Sequence, residues 1–285
     1  MHVGIAGTGK MGSAMARNLL DRRYRISVWN IDRAPMDPLV TAGATPFEHL
    51  ESLVACVDAV IVMLWDDEVA REVSLGKIMP AARKGQLIIE SSTLSPQMYE
   101  LLAEAAARRG VNFLACPVFG SVDGARAGTL ALFPGGNSEA FERGRELLSA
   151  MGSTIRFTGS PAASGHLKLA SNSMLGVIAD SIGELLGVMG RAGVDRALAI
   201  DTLVQALERV ATKRQQLIDR DTQPRFSANA LLKDLRLAHA ARQQLRASAP
   251  LMDCALAAFE HAVETGVGNE DYVAVGLAVE RALDR

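Results

Sequence analysis

A lysine and an asparagine in the middle of the chain have the residue types and the spacing of a proton-transfer site. Lys168 and Asn172 lie four residues apart in the stretch 164–172, so on a helix they would share one face, one turn apart. Gly165, a further turn back, would let such a helix approach a neighbour closely. An ammonium group can stabilise negative charge on an oxygen and donate a proton to it. By spacing alone, a helical lysine is more often a solvated charge than a catalytic group. The elements around Lys168 must therefore show which of the two it is.

A glycine turn near the start of the chain is typical of a dinucleotide site. The apolar stretch 2–6 is followed by a turn and then by a helical pattern from Ser13. The residues of this turn are Gly7, Thr8, Gly9, Lys10, Met11 and Gly12. The first glycine permits the tight turn, the second lets backbone approach a pyrophosphate and the third lets the helix pack on the strand. We therefore expect these six residues to bind the phosphates of a dinucleotide at a helix N-terminus.

The residue after the second predicted strand indicates which dinucleotide. An NAD site usually has a carboxylate there to accept from the ribose 2′-hydroxyl, whereas this chain has Asn30. Asparagine does not repel a 2′-phosphate, and Arg33 is close enough along the loop to bind one. Asp32 in the same loop argues for NAD. On charge grounds we expect NADP rather than NAD.

Apolar stretches alternate with helical ones through the first half of the chain. The strand-like stretches are residues 2–6, 26–29, 58–64, 86–90 and 111–114. Near-continuous apolar strands predict a sheet covered on both faces, and alternation with helices predicts parallel order. Ligands of such sheets bind beyond the carboxyl ends of the strands. This assigns Leu64 and Thr93 to the cofactor site and makes the loop 116–121 a further candidate. A short apolar piece at 129–133 is expected to extend the sheet, and a strand at 154–157 is expected to close the domain.

Composition and length are those of an ordinary two-domain protein. The chain has 285 residues, 49% hydrophobic and 22% charged, with a net charge of −2, so no basic field points to nucleic acid. We expect a domain boundary near residue 160, giving domains 1–160 and 161–285. The odd number of widely spaced cysteines argues against a disulfide framework and fits the cytoplasm. No basic leader or apolar run of about 18 residues predicts a membrane segment. The scattered histidines predict no metal site.

The second half of the chain has the pattern of helices only. Apolar periodicity without an interior proline predicts one helix over residues 162–192, about 45 Å long at 1.5 Å per residue. Further helices are expected at 195–208, 211–219, 228–246, 250–265 and 270–283. Small residues at positions 176, 179, 183, 187 and 190 would permit close helix contact. Packing within the chain and packing against a second copy both remain open.

Four motifs in order resemble the β-hydroxyacid dehydrogenase family, which includes 3-hydroxyisobutyrate dehydrogenase and tartronate semialdehyde reductase. The motifs are the glycine turn 7–12 with Met15 and Asn18; the stretch 116–121 with Gly124, Gly128 and Leu130; Gly165-His166-Leu167-Lys168 with Asn172; and Lys233-Asp234-Leu235. The likeness covers nearly the whole chain. It implies an α/β fold, with an N-terminal Rossmann doubly wound sheet followed by an all-α C-terminal domain like that of 6-phosphogluconate dehydrogenase.

The resemblance also implies an activity and roles for particular residues. The activity would be reversible hydride transfer between NADP or NAD and the carbonyl carbon of a small aldehyde or keto acid. Lys168 would be the proton donor and Asn172 would hold the substrate or Lys168 itself. Lys233 would contact the cofactor near the nicotinamide. The long helix would link the domains and pack in a homodimer, or in a tetramer. The expected partners are thus a small-molecule substrate and a second copy, with no nucleic acid and no membrane.

The candidate substrate loop departs from the family pattern. The family usually has Ser-Gly-Gly where this chain has Phe119, Gly120 and Ser121. The backbone amides of Gly120 and Ser121 and the Ser121 hydroxyl remain available for a substrate carboxylate. Phe119 either adds apolar bulk where the carboxylate would sit or points into the core. Ala115, where an acidic residue is usual, is a second departure whose effect the sequence does not predict.

Two other activities remain open at this stage. The related imine reductases share the architecture but usually carry a residue other than lysine at the position of Lys168, so the lysine favours carbonyl reduction. Phe119 keeps imine reduction as the second candidate. A non-catalytic dinucleotide sensor is the candidate from another class, and it would not require Lys168 with Asn172.

Overall fold

The computed structural model describes residues 1–283 of the chain. By its contacts the chain divides into two compact units, Met1–Ser173 and a second that begins at Met174. The family resemblance therefore leads to the correct fold class, in which a parallel α/β sheet precedes a helical region.

A seven-stranded sheet forms the centre of the first unit, in the order β3-β2-β1-β4-β5-β6-β9. Its strands are β1 (His2–Ala6), β2 (Arg25–Trp29), β3 (Thr45–Pro46), β4 (Ala59–Val62), β5 (Leu87–Glu90), β6 (Asn112–Ala115) and β9 (Gly135–Gly136). Every pair is parallel except β6 with β9. Strands β4, β5 and β6 are buried throughout, as expected for a sheet covered on both faces. The order places the carboxyl ends of β2, β1 and β4 next to one another.

Helices cover both faces of this sheet. They are α1 (Lys10–Asp21), α2 (Asp37–Thr41), α3 (Leu50–Cys56), α4 (Asp67–Ala70), α5 (Met79–Ala81), α6 (Pro96–Arg109), α7 (Val122–Ala127) and α8 (Ser138–Met151). A 3₁₀ turn, Ala34–Met36, precedes α2, and a π-helical stretch, Arg71–Ile78, joins α4 to α5. Two hydrophobic clusters result, one on each side of the sheet. Ser95 caps α6 by accepting from the backbone N–H of Met98, and Pro96 is the first residue of the helix.

The expectation that residues 129–133 extend the main sheet is wrong. Strands β8 (Leu130–Leu132) and β10 (Gly152–Ile155) instead join β7 (Val118–Phe119) in a separate three-stranded sheet. Only Gly135–Gly136 adds to the main sheet, and it does so antiparallel to β6. Sequence periodicity cannot reveal this, because strand partners are chosen by packing rather than by local pattern.

One long helix, α9 (Pro161–Arg191), passes from the first unit into the second. Its buried residues in the first unit are Ser164, Gly165 and Lys168. A Cβ at Gly165 would lie 3.1 Å from Pro96 Cα and from the Tyr99 ring, so the glycine is what lets α9 approach the start of α6. By length and composition alone α9 could cross a membrane, with a mean hydropathy of 1.3 in its most apolar window.

The described part of the second unit is helical. It contains the end of α9 followed by α10 (Arg196–Ala211), α11 (Arg214–Ile218), α12 (Ala228–Gln244), α13 (Pro250–Ala262), the π-helical stretch Val263–Val267 and α14 (Ala274–Leu283). The carboxylate of Glu184 accepts from the backbone N–H groups of Leu251 and Met252, which caps α13 at its positive end. A small cluster of buried residues forms the core: Ala228, Ala262, Val267, Ala274 and Val275.

Candidate functional site

The glycine turn between β1 and α1 is built for close approach of backbone. A Cβ at Gly12 would overlap the carbonyl oxygen of Gly7, and a Cβ at Gly7 would overlap that of Met63. A Cβ at Gly9 would meet nothing within 4 Å, so this glycine faces open space. Gly9 is also the N-cap of α1 and has no side chain to satisfy the first N–H groups of the helix, which remain available to an anion.

Beside this turn lies a cavity of about 780 Å³. It is lined by four of the predicted turn residues, Gly7, Gly9, Lys10 and Met11, together with Trp29, Asn30, Ile31, Met63, Leu64, Trp65, Val69, Glu72, Val73, Lys77 and Thr93. The structure therefore brings together the turn and the ends of β2, β4 and β5. A cavity of this size suits a cofactor. The side-chain hydroxyl oxygen of Thr8 is buried within the turn without a hydrogen-bond partner among the described residues. The glycine turn and the cavity beside it fit a dinucleotide.

Asn30 is oriented by the turn itself. Its Oδ1 accepts from the backbone N–H of Thr8 at 2.9 Å, and its Nδ2 donates to the carbonyl of Asp32 at 3.1 Å. The Nδ2 group has a second hydrogen, which can be donated to a ligand. Arg33 is exposed, lies 3.7 Å from Asp37, and lines a second cavity of about 500 Å³ that Asn30 also lines.

A buried carboxylate stands behind the cofactor cavity, at the end of β5. Glu90 is fully buried and accepts hydrogen bonds from the hydroxyls of Ser74 and Ser92. The Ser92 hydroxyl in turn accepts from the backbone N–H of Leu64 at 2.7 Å. Burial raises the pKa of Glu90 above its ordinary value, and the serine hydrogen bonds oppose this. The network therefore fixes Leu64, which lines the cavity. The sequence contained a signal for this network, because Glu90 is a charged residue at the end of an apolar strand. None of the sequence motifs includes it.

Lys168 is held in a buried place without an ionic partner. The residue is 8% exposed, and its Nζ lies 5.2 Å from the centre of the Phe119 ring. Within residues 1–283 no carboxylate forms an ion pair with it. Burial lowers the pKa of Lys168 below the ordinary lysine value, because water no longer solvates the charged form. The ammonium lies over the ring of Phe119, which is itself half-buried, so the two predicted residues come together.

The other predicted substrate residues are Asn172, Gly120 and Ser121. Asn172, one turn after Lys168 on α9, is exposed, and no hydrogen bond joins the two in the described chain. Gly120 has a φ of 145° and its Cβ would lie 2.9 Å from a Leu130 methyl, so a side chain there would be strained. The Ser121 oxygen accepts from the backbone N–H of Gly124 at 3.1 Å, a helix cap that leaves the hydroxyl hydrogen free to donate.

Lys233 and Asp271 belong to the second unit. Lys233 is exposed on α12, and its ammonium pairs with Asp234 at 3.0 Å. Asp271 is fully buried and accepts from Lys213 Nζ at 2.8 Å and from backbone N–H groups. Although burial opposes its ionisation, these hydrogen bonds lower the pKa of Asp271 to about 2. Asp271 therefore holds together the turn before α12.

The sequence reasoning missed part of the cavity wall. Ile31 and four residues of the helical stretch after β4 line it, namely Val69, Glu72, Val73 and Lys77. Their positions in the sequence could have identified them. Ile31 adjoins Asn30, and the other four residues follow the end of a strand, where ligands of parallel sheets bind.

Comparisons with known proteins identify the family of the chain. Residues 2–159 match the family model of the NAD binding domain of 6-phosphogluconate dehydrogenase. Residues 162–278 match that described as NAD-binding of NADP-dependent 3-hydroxyisobutyrate dehydrogenase. An NAD-dependent L-serine dehydrogenase from Pseudomonas aeruginosa is 30% identical over 96% of this chain and 96% of its own length. A 3-hydroxyisobutyrate dehydrogenase from the same organism is 32% identical over 87% and 88%.

A solved structure extends the likeness to three dimensions. An imine reductase from Pseudomonas sp. covers 98% of this chain and 99% of its own with a TM-score of 0.86, at 20% sequence identity. At that identity the match shows a shared fold. Together with the family models and the glycine turn, these findings show that the chain belongs to the β-hydroxyacid dehydrogenase family and is an NAD(P)-dependent oxidoreductase.

Proposed function

We propose that this protein transfers hydride reversibly between a nicotinamide dinucleotide and the carbonyl carbon of a small aldehyde or keto acid, with Lys168 as the proton donor. The observation that carries the proposal is the buried Lys168 ammonium, which lies over the Phe119 ring without an ionic partner among residues 1–283. An unpaired buried charge is costly, and active sites are where such costs are commonly found.

The proposed chemistry needs one proton from the protein. The bound nicotinamide supplies the hydride for reduction. As the carbonyl carbon accepts it, the C=O π electrons move to the oxygen. The Lys168 ammonium stabilises that negative charge and gives the oxygen a proton, which forms the alcohol and leaves a neutral amine. In the oxidation direction the neutral amine takes the proton back, and the lowered pKa of Lys168 increases the fraction of the lysine that is neutral and able to do so. Asn172 is proposed to orient the substrate from the next turn of α9.

Replacement of Lys168 tests this role. Lys168→Ala should lower kcat by about 10²-fold or more, the range for loss of a general acid. The Kd for the cofactor should stay within twofold of wild type, because the proposed contacts with the cofactor lie elsewhere. Wild-type turnover in the variant would refute the role of Lys168, whereas loss of cofactor binding as well would point to a structural role.

We propose that the cofactor is held by the turn residues 7–12 with Asn30, Leu64 and Thr93, and by Lys233 of the second unit. NADP is the preferred form, because Asn30 offers a donor to the 2′ position and Arg33 supplies a cation near it. The kcat/KM ratio for NADPH over NADH measures the preference. Arg33→Ala should reduce it, and a wild-type preference for NADH would refute it.

The substrate class follows from Phe119. Its ring occupies the space beside the ammonium where a carboxylate would otherwise pair with Lys168, so we propose a substrate with an apolar group next to the carbonyl. This favours imine reduction as the second candidate function. A panel of short semialdehydes, less polar ketones and cyclic imines, followed by NADPH absorbance, would separate the candidates. Phe119→Ser should improve kcat/KM for carboxylated semialdehydes and lower it for apolar ketones.

We further propose a homodimer that covers the exposed face of α9. Met174, Leu175 and Val177 are each about half exposed, at 55%, 51% and 52%. A Cβ would meet nothing within 4 Å at any of the four glycines in the later part of the helix: Gly176, Gly183, Gly187 and Gly190. Such an apolar, small-residue surface suits a second helix. Light scattering should give twice the mass of the chain, and Leu175→Asp should weaken the dimer. A strictly monomeric wild type would refute the proposal.

A cytoplasmic location is proposed on the cysteines. Cys56 and Cys254 are exposed free thiols and Cys116 is a buried one, which suits a reducing compartment. Glu184 on α9 bonds to the backbone of α13, so the helix is engaged with protein. Cell fractionation tests this location, and recovery in the membrane fraction would contradict it.

A further inference from the structure

Lys168 differs from the other lysines of the chain in what surrounds its side chain. The chain has six lysines, and four of them are not buried: Lys10, Lys77, Lys84 and Lys233. Lys213 is as buried as Lys168, but its ammonium pairs with Asp271 at 2.8 Å. Within residues 1–283, Lys168 is thus the lysine that combines burial with the lack of a carboxylate partner.

The end of the Lys168 side chain is nevertheless open. In the part of the chain that the structure describes, the fully buried side-chain nitrogen and oxygen atoms without a hydrogen-bond partner are Thr8 Oγ1 and Ser91 Oγ. Lys168 Nζ also has no hydrogen-bond partner there, but it is not one of these fully buried atoms. Solvent therefore reaches the nitrogen, whereas most of the side chain is enclosed.

These surroundings favour the neutral form of the lysine. Burial lowers the pKa of Lys168 below the ordinary lysine value, because water no longer solvates the charged form. The Phe119 ring, 5.2 Å from Nζ, attracts a cation less strongly than a carboxylate would. A neutral lysine amine carries a lone pair, and desolvated lysines in apolar pockets are the ones that form Schiff bases with carbonyl compounds.

We propose that Lys168 is also a nucleophile, which captures an aldehyde with an apolar substituent as a covalent imine, the substituent lying against Phe119. The lone pair of Nζ attacks the aldehyde carbon, and a proton passes from the nitrogen to the carbonyl oxygen, which gives a carbinolamine. Loss of water then leaves a C=N bond, and hydrolysis reverses the reaction. No cofactor takes part, so this reactivity depends on the surroundings of Lys168 and not on its proposed role as proton donor.

Reductive trapping of the cofactor-free protein tests the imine. Isobutyraldehyde, a small aldehyde with an apolar substituent, is added at neutral pH with sodium cyanoborohydride, which reduces an imine to a stable secondary amine. Peptide mass spectrometry then gives the share of label on each lysine, and the N-terminal amine, whose ordinary pKa is about 8, is counted separately. At low aldehyde, Lys168 should carry about half or more of the lysine label, whereas equal reactivity would place about one sixth on each of the six. No more label on Lys168 than on the exposed Lys84 would overturn the proposal.

Lys213 and two variants at position 119 provide the controls. Lys213 is equally buried but paired with Asp271, so it should stay unlabelled, and labelling there as strong as at Lys168 would overturn the argument from the missing partner. Phe119→Ser admits water beside the nitrogen, and the share of label on Lys168 should fall toward about one sixth. Phe119→Leu, the matched control, keeps an apolar side chain and should keep the wild-type share. Equal labelling of Lys168 in the two variants would refute the part assigned to the ring. Circular dichroism of each variant checks that it is folded.

Trapping and turnover together separate the imine from the proposed function. If Lys168 carried the label but Lys168→Ala kept wild-type turnover, the proton-donor role would fail and the imine would stand. If Lys168→Ala lost turnover but the label spread evenly over the lysines of the wild type, the reverse would hold.

Discussion

The same substitution at two buried lysines should change stability in opposite directions. Lys168 and Lys213 are each 8% exposed. Lys213 donates to Asp271 at 2.8 Å, whereas Lys168 has the Phe119 ring at 5.2 Å and no ionic partner among the described residues. Methionine keeps much of the length of the lysine stem and removes the charge. We expect Lys168→Met to stabilise the protein and Lys213→Met to destabilise it.

The magnitudes follow from what each substitution leaves behind. Lys213→Met leaves the fully buried Asp271 carboxylate without its cation, and breaking a buried pair costs about 3–5 kcal/mol. Lys168→Met leaves no partner unsatisfied and removes a desolvated charge. A cation–π contact is worth about 0.5–2 kcal/mol and offsets part of that gain. A net increase of about 1 kcal/mol in the free energy of unfolding is expected, which for a unit of this size raises Tm by roughly 2–4 °C.

The free energy of unfolding should depend on pH through Lys168. Burial lowers the pKa of Lys168 in the folded state from 10.5, so above the folded pKa the unfolded chain binds more protons. The wild-type free energy of unfolding should therefore gain a contribution from Lys168 as pH rises toward 10.5. Lys168→Met lacks this contribution, and its advantage over wild type should shrink at high pH.

Thermal unfolding of the cofactor-free protein, followed by circular dichroism at several pH values, measures both effects. Turnover of the same samples shows whether Lys168→Met is inactive while folded, the stability–activity trade-off expected of a functional site. A Lys168→Met protein that loses stability as Lys213→Met does would refute the conclusion that the Lys168 ammonium is uncompensated.

Three further predictions concern the supporting residues. Gly12→Ala should abolish dinucleotide binding measured by calorimetry, because its Cβ would overlap the Gly7 carbonyl; wild-type affinity would show that the turn adapts. The pKa of Glu90 is raised above 4.5 by burial, so the stability it contributes is present below that value and is lost as pH rises through the folded pKa. Glu90→Gln should remove this loss from unfolding curves, and an unchanged curve would contradict it. The pKa of Asp271 is lowered from 3.8 to about 2, worth about 2 kcal/mol by linkage. In acid titrations of the wild type, that stability should disappear between roughly pH 4 and 2. Asp271→Asn should be less stable than the wild type at neutral pH and should show no such loss in this range.

Much of the fold could be predicted because its signals are local. The Pro96–Arg109 helix has a serine–proline start and a glycine stop, and the 162–192 prediction agrees with Pro161–Arg191 to within one residue at each end. The three-stranded sheet could not be predicted, because short strands such as β8 and β10 find their partners through contacts that no single stretch of sequence encodes.

The sequence by itself predicted the parts of the candidate site: the glycine turn, Asn30, and Lys168 one turn before Asn172. Glycines and helix spacings are constraints of the local backbone, so they can be recognised in one dimension. Only the tertiary structure decided that Phe119 faces Lys168, that Glu90 supports Leu64 through Ser92, and that Trp65 and Ile31 line one cavity. These relations depend on which strand ends lie side by side, and burial and sheet order decide that for the chain as a whole.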